Sequence, residues 1–102
     1  MKDANIKGVH LRLPGYGDDG PTLEVFSYNE YIINKANQIN TTGFSHIAFE
    51  VDDVEAVKEK LISAGGSAHG DVVSFEVEGK GTITLAYTRD PEGNIIELQR
   101  WS

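Results

Sequence analysis

The stretch GFSHIAFEVDD, residues 43–53, sets a histidine inside an alternating apolar segment and follows it with two carboxylates. His46 there is either a core-edge residue donating a hydrogen bond or a group placed to hold something. Glu97 poses the same question, since it is flanked by Ile96 and Leu98. A carboxylate in such a strand is buried only when it is paired or bound to a cation, and otherwise points to solvent from an open sheet face. Glu24, between Leu23 and Val25, repeats the pattern. The chain has no cysteine, so any metal must be held by His, Asp or Glu. His10 is a further imidazole on an alternating strand, and His69, in GSAHGD, reads as a loop residue. Arg12, Tyr28, Tyr87 and Arg100 could line a pocket for an anionic ligand, or could equally be strand residues with a wet tip.

The elements that position these groups belong to a chain of 102 residues, 39% hydrophobic and 25% charged, which predicts one compact domain with a single core. Nine Lys and Arg against sixteen Asp and Glu give a formal net charge of -7. That balance repels a phosphate backbone, so neither nucleic acid nor an anionic membrane is an expected partner. No apolar run reaches the length of a signal peptide or a membrane span, which predicts a soluble, unexported, cytoplasmic protein. The absence of cysteine fits a reducing compartment.

Val9–Leu13 alternates apolar and polar residues as a half-buried strand does. PGYGDDGP, residues 14–21, supplies turn residues, and TLEVFSY, residues 22–28, alternates again. A hairpin spanning residues 9–28 is expected. NEYIINKANQINTT, residues 29–42, has neither period and reads as a connector with one turn of helix, its Tyr31, Ile32 and Ile33 touching the core. Phe44–Val51 is the strongest strand, with Ile47, Phe49 and Val51 on one face and Phe44, His46, Ala48 and Glu50 on the other. Asp52 followed by Glu55 resembles a capping box for an amphipathic helix carrying Val54, Val57, Leu61 and Ala64, which Gly65 and Gly66 end. Strands follow near residues 71–79 and 82–90, then a DPEGN turn and a strand over 94–101 that sets Ile96 and Leu98 against Ile95 and Glu97. The order from residue 44 is strand, helix and three strands, an α+β arrangement.

Two segments, FSHIAFEVDDVEAV and GKGTITLAYTRDPEGNIIELQRW, resemble the second βαβββ module of the vicinal oxygen chelate superfamily. This group includes the glyoxalases, methylmalonyl-CoA epimerases, extradiol dioxygenases, fosfomycin resistance enzymes and bleomycin-binding proteins. LRLPGYGDDGPTLEVFSY looks like the last two strands of a first module, and the DPEGNIIEL ending is the most specific mark. The resemblance implies a complete second module over residues 44–101, preceded by the hairpin of an incomplete first one, an N-terminally truncated member.

The resemblance also implies a site. Glu24 matches the ligand position on the last strand of the first module, His46 that on the first strand of the second, and Glu97 that on its last strand. The histidine usually supplied by the first strand of the first module has no counterpart. One imidazole and two carboxylates suit Zn²⁺, Ni²⁺, Mn²⁺ or Fe²⁺. A glutamate at position 24 matches the lyase and epimerase branches, not the dioxygenases. The implied activity is a metal-dependent lyase or isomerase acting on a small molecule with vicinal oxygens, with Glu24 or Glu97 as general base. Two alternatives stand beside it: a non-catalytic small-molecule binder of the bleomycin-resistance type, and an inactive remnant. A hairpin lacking its covering helix leaves a sheet edge and apolar side chains open, which predicts a homodimer in which one chain completes the sheet of the other.

Overall fold

The structure, a computed structural model, describes residues 5–33 and 37–102. They fall into two compact units divided between Ile33 and Asn34.

The first unit is an antiparallel hairpin of β1 (Ile6–Arg12) and β2 (Thr22–Tyr28). Its register sets Val9 opposite Val25, His10 opposite Glu24 and Leu11 opposite Leu23. The loop is tied by an Arg12–Asp18 ion pair and closed by a bond from the Leu13 amide to the Pro21 carbonyl at 3.3 Å. Tyr31, Ile32 and Ile33 are exposed, not packed in a core as their apolar character suggests. Residues 29–33 and 37–42 contain no helix, and the remainder of the connector, where the expected helical turn also falls, lies outside the described residues.

The second unit is a mixed sheet with one helix. Its strands are β3 (His46–Glu50), β4 (Ser67–Ala68), β5 (Val73–Val77), β6 (Gly81–Arg89) and β7 (Ile95–Trp101). β3 runs parallel to β7 at one edge, and β6 lies antiparallel to β7 on its other side. The two short strands β4 and β5 both pair with the far side of β6. Flanked on both sides, β6 and β7 hold most of the buried residues: Ile83, Leu85, Ala86, Thr88, Ile95, Glu97 and Leu98. Two-residue β4 has no alternating run to announce it. Among the described residues no helix is long and apolar enough to cross a membrane.

A parallel β3–β7 pair requires a crossover, and α1 (Val54–Ser63) provides it. The helix sets Val54 against Ala86 and Leu98, with Val51, Val57, Val72 and Ile96 packed around them. This core lies on the sheet face opposite Glu97. At the far end Gly65 adopts φ 107°, and Gly66 comes so close to the sheet that an added Cβ would stand 2.5 Å from the Arg89 carbonyl oxygen. Arg89 ties three segments together by donating to the Gly93 and Asn37 carbonyls, both at 2.7 Å, and to Nδ1 of His69 at 3.3 Å. His69 is therefore a half-buried acceptor, not a free loop side chain.

The helix cap departs from the sequence reading by one residue. Asp53, not Asp52, takes the extended N-cap conformation, and its Oδ1 accepts from the Ala56 amide at 3.0 Å. Asp52 instead offers its backbone carbonyl to Arg100 at 2.6 Å. Replacing Asp53 with alanine leaves that amide without its partner and is expected to lower stability by about 1 kcal/mol, whereas Asp52→Ala costs only a few tenths, as urea unfolding measures. Equal losses in the two variants would contradict the assigned cap.

Candidate functional site

The alternation of β7 and its register with β3 and β6 gather several polar groups on the sheet face away from the helix. His46 stands opposite Ile95 in the parallel pairing, Ala48 opposite Glu97, and Tyr87 opposite Glu97 in the antiparallel one. The imidazole and the carboxylate thus meet although 51 positions separate them in the chain, with Nε2 of His46 at 3.2 Å from Oε1 of Glu97. Glu97 retains only 7% of its accessible surface, and buried Ile83, Leu85 and Ile95 share its face. A carboxylate so placed needs partners, and it has them. Its Oε2 accepts from the Gln99 amide nitrogen at 2.9 Å. The Tyr87 phenol is raised above the ordinary tyrosine range, first by burial and then by the neighbouring Glu97 carboxylate. At neutral pH it is therefore a protonated donor.

His46 is oriented from its other ring nitrogen. Ser45 Oγ lies 3.0 Å from Nδ1, and the ring meets Tyr87 edge-on with centroids 5.5 Å apart. When Nε2–H donates to Glu97, the serine hydroxyl donates to Nδ1. When Nε2 is a metal ligand, Nδ1–H donates to the same hydroxyl. Ser45 serves either tautomer.

Two donors bound to one cation at about 2.0–2.2 Å with ordinary ligand angles stand roughly 2.9–3.5 Å apart. The His46–Glu97 separation of 3.2 Å falls in that range. The pair fits two adjacent positions of a divalent-metal shell, which is less than a full set. Among the described residues no three His, Asp or Glu side chains stand together as a metal-holding group. Glu24, expected with them, belongs to the hairpin, where its Oε1 lies 3.1 Å from Nε2 of His10 and both side chains are more than half exposed. His10 is held on its other side by Thr22 Oγ1 at 3.1 Å.

The alternation rule already put Gln99 and Trp101 on the face of Glu97, yet neither drew notice, because neither is charged. Tyr87 did, but only as a generic pocket residue; its place opposite Glu97 comes from the register across the DPEGN turn. That turn is built by Asp90, whose Oδ1 accepts from the Glu92 and Asn94 amides at 3.0 and 2.8 Å.

The chain is 37% identical over 90 residues to a probable lactoylglutathione lyase of Vibrio parahaemolyticus, an alignment covering 86% of this chain and 60% of that protein. With a protein of the same description from Vibrio cholerae it shares 36% identity over 93 residues, again 86% of this chain and 60% of the other. The chain therefore spans about three fifths of the length of these relatives. A crystal structure of a glyoxalase family protein from Bacillus cereus superposes with a TM-score of 0.64 at 24% identity, over 79% of this chain and 54% of that one, and so shares the fold. The profile of the Glyoxalase/Bleomycin resistance protein/Dioxygenase superfamily matches residues 5–98, nearly the whole chain. On that match, with the α+β fold in keeping, the chain belongs to the glyoxalase/bleomycin resistance/dioxygenase superfamily.

Proposed function

We propose that the chain carries part of the active site of a metal-dependent lyase or isomerase, similar to lactoylglutathione lyase, acting on a small molecule with vicinal oxygens. The observation that carries this reading is the His46–Glu97 pair, two metal-type donors 3.2 Å apart with the carboxylate buried. His46 and Glu97 are two protein ligands, and Glu24 is the third. A divalent ion, Zn²⁺, Ni²⁺, Mn²⁺ or Fe²⁺, supplies Lewis acidity when bound, polarising a substrate oxygen so that the neighbouring C–H becomes acidic. Glu24 or Glu97 then moves the proton at that carbon. Ser45 fixes the histidine ring, and the Tyr87 phenol keeps a proton on its oxygen beside Glu97. The buried side chains of Ile83, Leu85 and Ile95 lower the local polarity, which strengthens each of these electrostatic contacts.

The active protein is, on this reading, a cytoplasmic homodimer in which Glu24 of the partner subunit completes the ligand set. Val9, Leu11 and Val25 of the hairpin stay about half exposed, at 51%, 48% and 45%. A two-stranded hairpin with such a surface is marginal on its own and gains by being covered. That only two such donors stand together among the described residues favours a second reading, a non-catalytic small-molecule binder of the bleomycin-resistance type.

Native mass spectrometry of protein purified without chelator tests both. The expected result is a species of twice 11.2 kDa carrying divalent metal, stabilised in thermal-shift assays by S-lactoylglutathione or by small 2-oxo or 2-hydroxy acids. A metal-free protein that is still stabilised by these compounds supports the binder. A monomer at micromolar concentration rules out a site shared between chains.

A further inference from the structure

Glu97, Gln99 and Trp101 alternate along β7 at i, i+2 and i+4 and so project from one face of the sheet. Their side chains form a chain of hydrogen bonds: the indole Nε1–H of Trp101 donates to Oε1 of Gln99 at 2.7 Å, and the Gln99 amide nitrogen donates to Oε2 of Glu97 at 2.9 Å. The direction of this chain follows from its first member. An indole nitrogen only donates, so it selects the oxygen end of the Gln99 amide and leaves the NH₂ end for the carboxylate. Turning the amide over would set donor against donor at Trp101 and acceptor against acceptor at Glu97. Trp101 thereby determines which end of Gln99 the glutamate meets.

With Oε2 engaged in this way, Oε1 is the oxygen left toward His46 Nε2, at 3.2 Å. We propose that Gln99 and Trp101 are positioning residues that hold the Glu97 carboxylate with Oε1 turned toward His46, a role that rests on the proposed function for any metal the pair would hold. A carboxylate released from this tether can rotate and no longer presents one fixed oxygen beside the imidazole.

The test uses the full 102-residue chain, with Zn²⁺ as the probe in titration calorimetry and Co²⁺ for its visible spectrum. Gln99→Leu removes both ends of the tether, and Trp101→Phe deletes the donor while keeping a smaller aromatic ring in its place. Loss of a residue that orients a ligand typically weakens metal binding roughly 10–100-fold, which is expected for Gln99→Leu, with a smaller loss for Trp101→Phe. The Co²⁺ spectrum of Gln99→Leu is expected to change in intensity because the freed carboxylate is no longer held in one orientation. Zn²⁺ affinity and Co²⁺ spectrum both unchanged in a folded Gln99→Leu overturn the proposal. If that variant fails to fold, the same two readouts on Trp101→Phe decide. A wild-type chain that binds no Zn²⁺ removes the metal reading separately, and the tether is then judged on the metal-free protein by NMR. There the Gln99 side-chain amide resonances are expected to move in Trp101→Phe and in Glu97→Gln, and their failure to move in either overturns the tether as well.

Discussion

His46→Ala is expected to weaken Zn²⁺ binding at least ~100-fold, because loss of a residue that only orients a ligand already costs roughly 10–100-fold and this substitution removes the ligand itself. Stability is expected to change far less. His46 lies on the edge strand with a quarter of its side chain exposed. Its loss takes one hydrogen bond from Glu97, a net contribution of about 0.5–1.5 kcal/mol. Gln99 remains to partner the carboxylate, with the Tyr87 phenol beside it. Titration calorimetry and urea unfolding on the same preparation separate the two effects. Zn²⁺ affinity within threefold of the wild type would remove His46 from the site, and with it the metal-dependent reading. A large loss of stability with unchanged affinity would make it a structural histidine.

Leu98→Ala is expected to have the opposite signature. Leu98 lies on the other face of the same strand, 3% exposed, packed with Val54 and Ala86 where the helix meets the sheet. Ala86 is already small and Val54 is anchored at the first turn of the helix, so the cavity has little with which to fill itself. Truncations of this kind cost about 2–5 kcal/mol. Domains of this size are stable by only about 5–15 kcal/mol, so the variant should lose a large part of its folded population at elevated temperature. The unfolding midpoint in urea reports the loss directly, at a slope of roughly 1–3 kcal/mol per molar. A shift equivalent to less than 1 kcal/mol would mean that the helix does not depend on this contact. Metal affinity measured well below the midpoint should stay near the wild-type value, because Leu98 faces away from Glu97.

Several of these features are legible in the sequence, and the reason is periodicity. The alternation over residues 44–51 assigns His46 to the face opposite Ile47 and Phe49, and the alternation over 94–101 assigns Glu97 to the face opposite Leu98. The Pro and Gly of DPEGN mark the turn that brings β7 back beside β6. Periodicity does not choose between neighbours, and so Asp52 took the place of Asp53 as the cap. The choice depends on which residue turns extended, at φ -140° and ψ 99°, ahead of the first helical turn. Periodicity is equally silent on exposure where the pattern lapses: Tyr31, Ile32 and Ile33 are as apolar as any core segment and yet open to solvent. The Trp101–Gln99–Glu97 chain escaped for another reason. Each member is ordinary by itself, and the meaning comes from donor and acceptor direction, which spacing does not encode. Glu24 was legible only through the resemblance, and within its own unit its partner is His10.

The parallel pairing of β3 with β7 also fixes the order in which the second unit can assemble. β5, β6 and β7 are joined by short turns and pair with near neighbours in sequence, as in a meander. β3 reaches β7 only across the helix and β4, β5 and β6, and closing a loop of some 50 residues costs about 3.5 kcal/mol in chain entropy beyond the constant part. Non-local pairings of this kind form late and govern the folding rate. β3 is therefore expected to dock late and, like β4 and β5, it is bonded on one side only. His46 rides on it, so the imidazole and the carboxylate exist as a pair only in the fully closed sheet. A ligand that bridges them binds that state alone and adds RT ln(1 + [L]/Kd) to the stability of the closed edge. The donors that would grip a metal ion thus double as a latch, through which occupancy of the site sets how often the sheet opens.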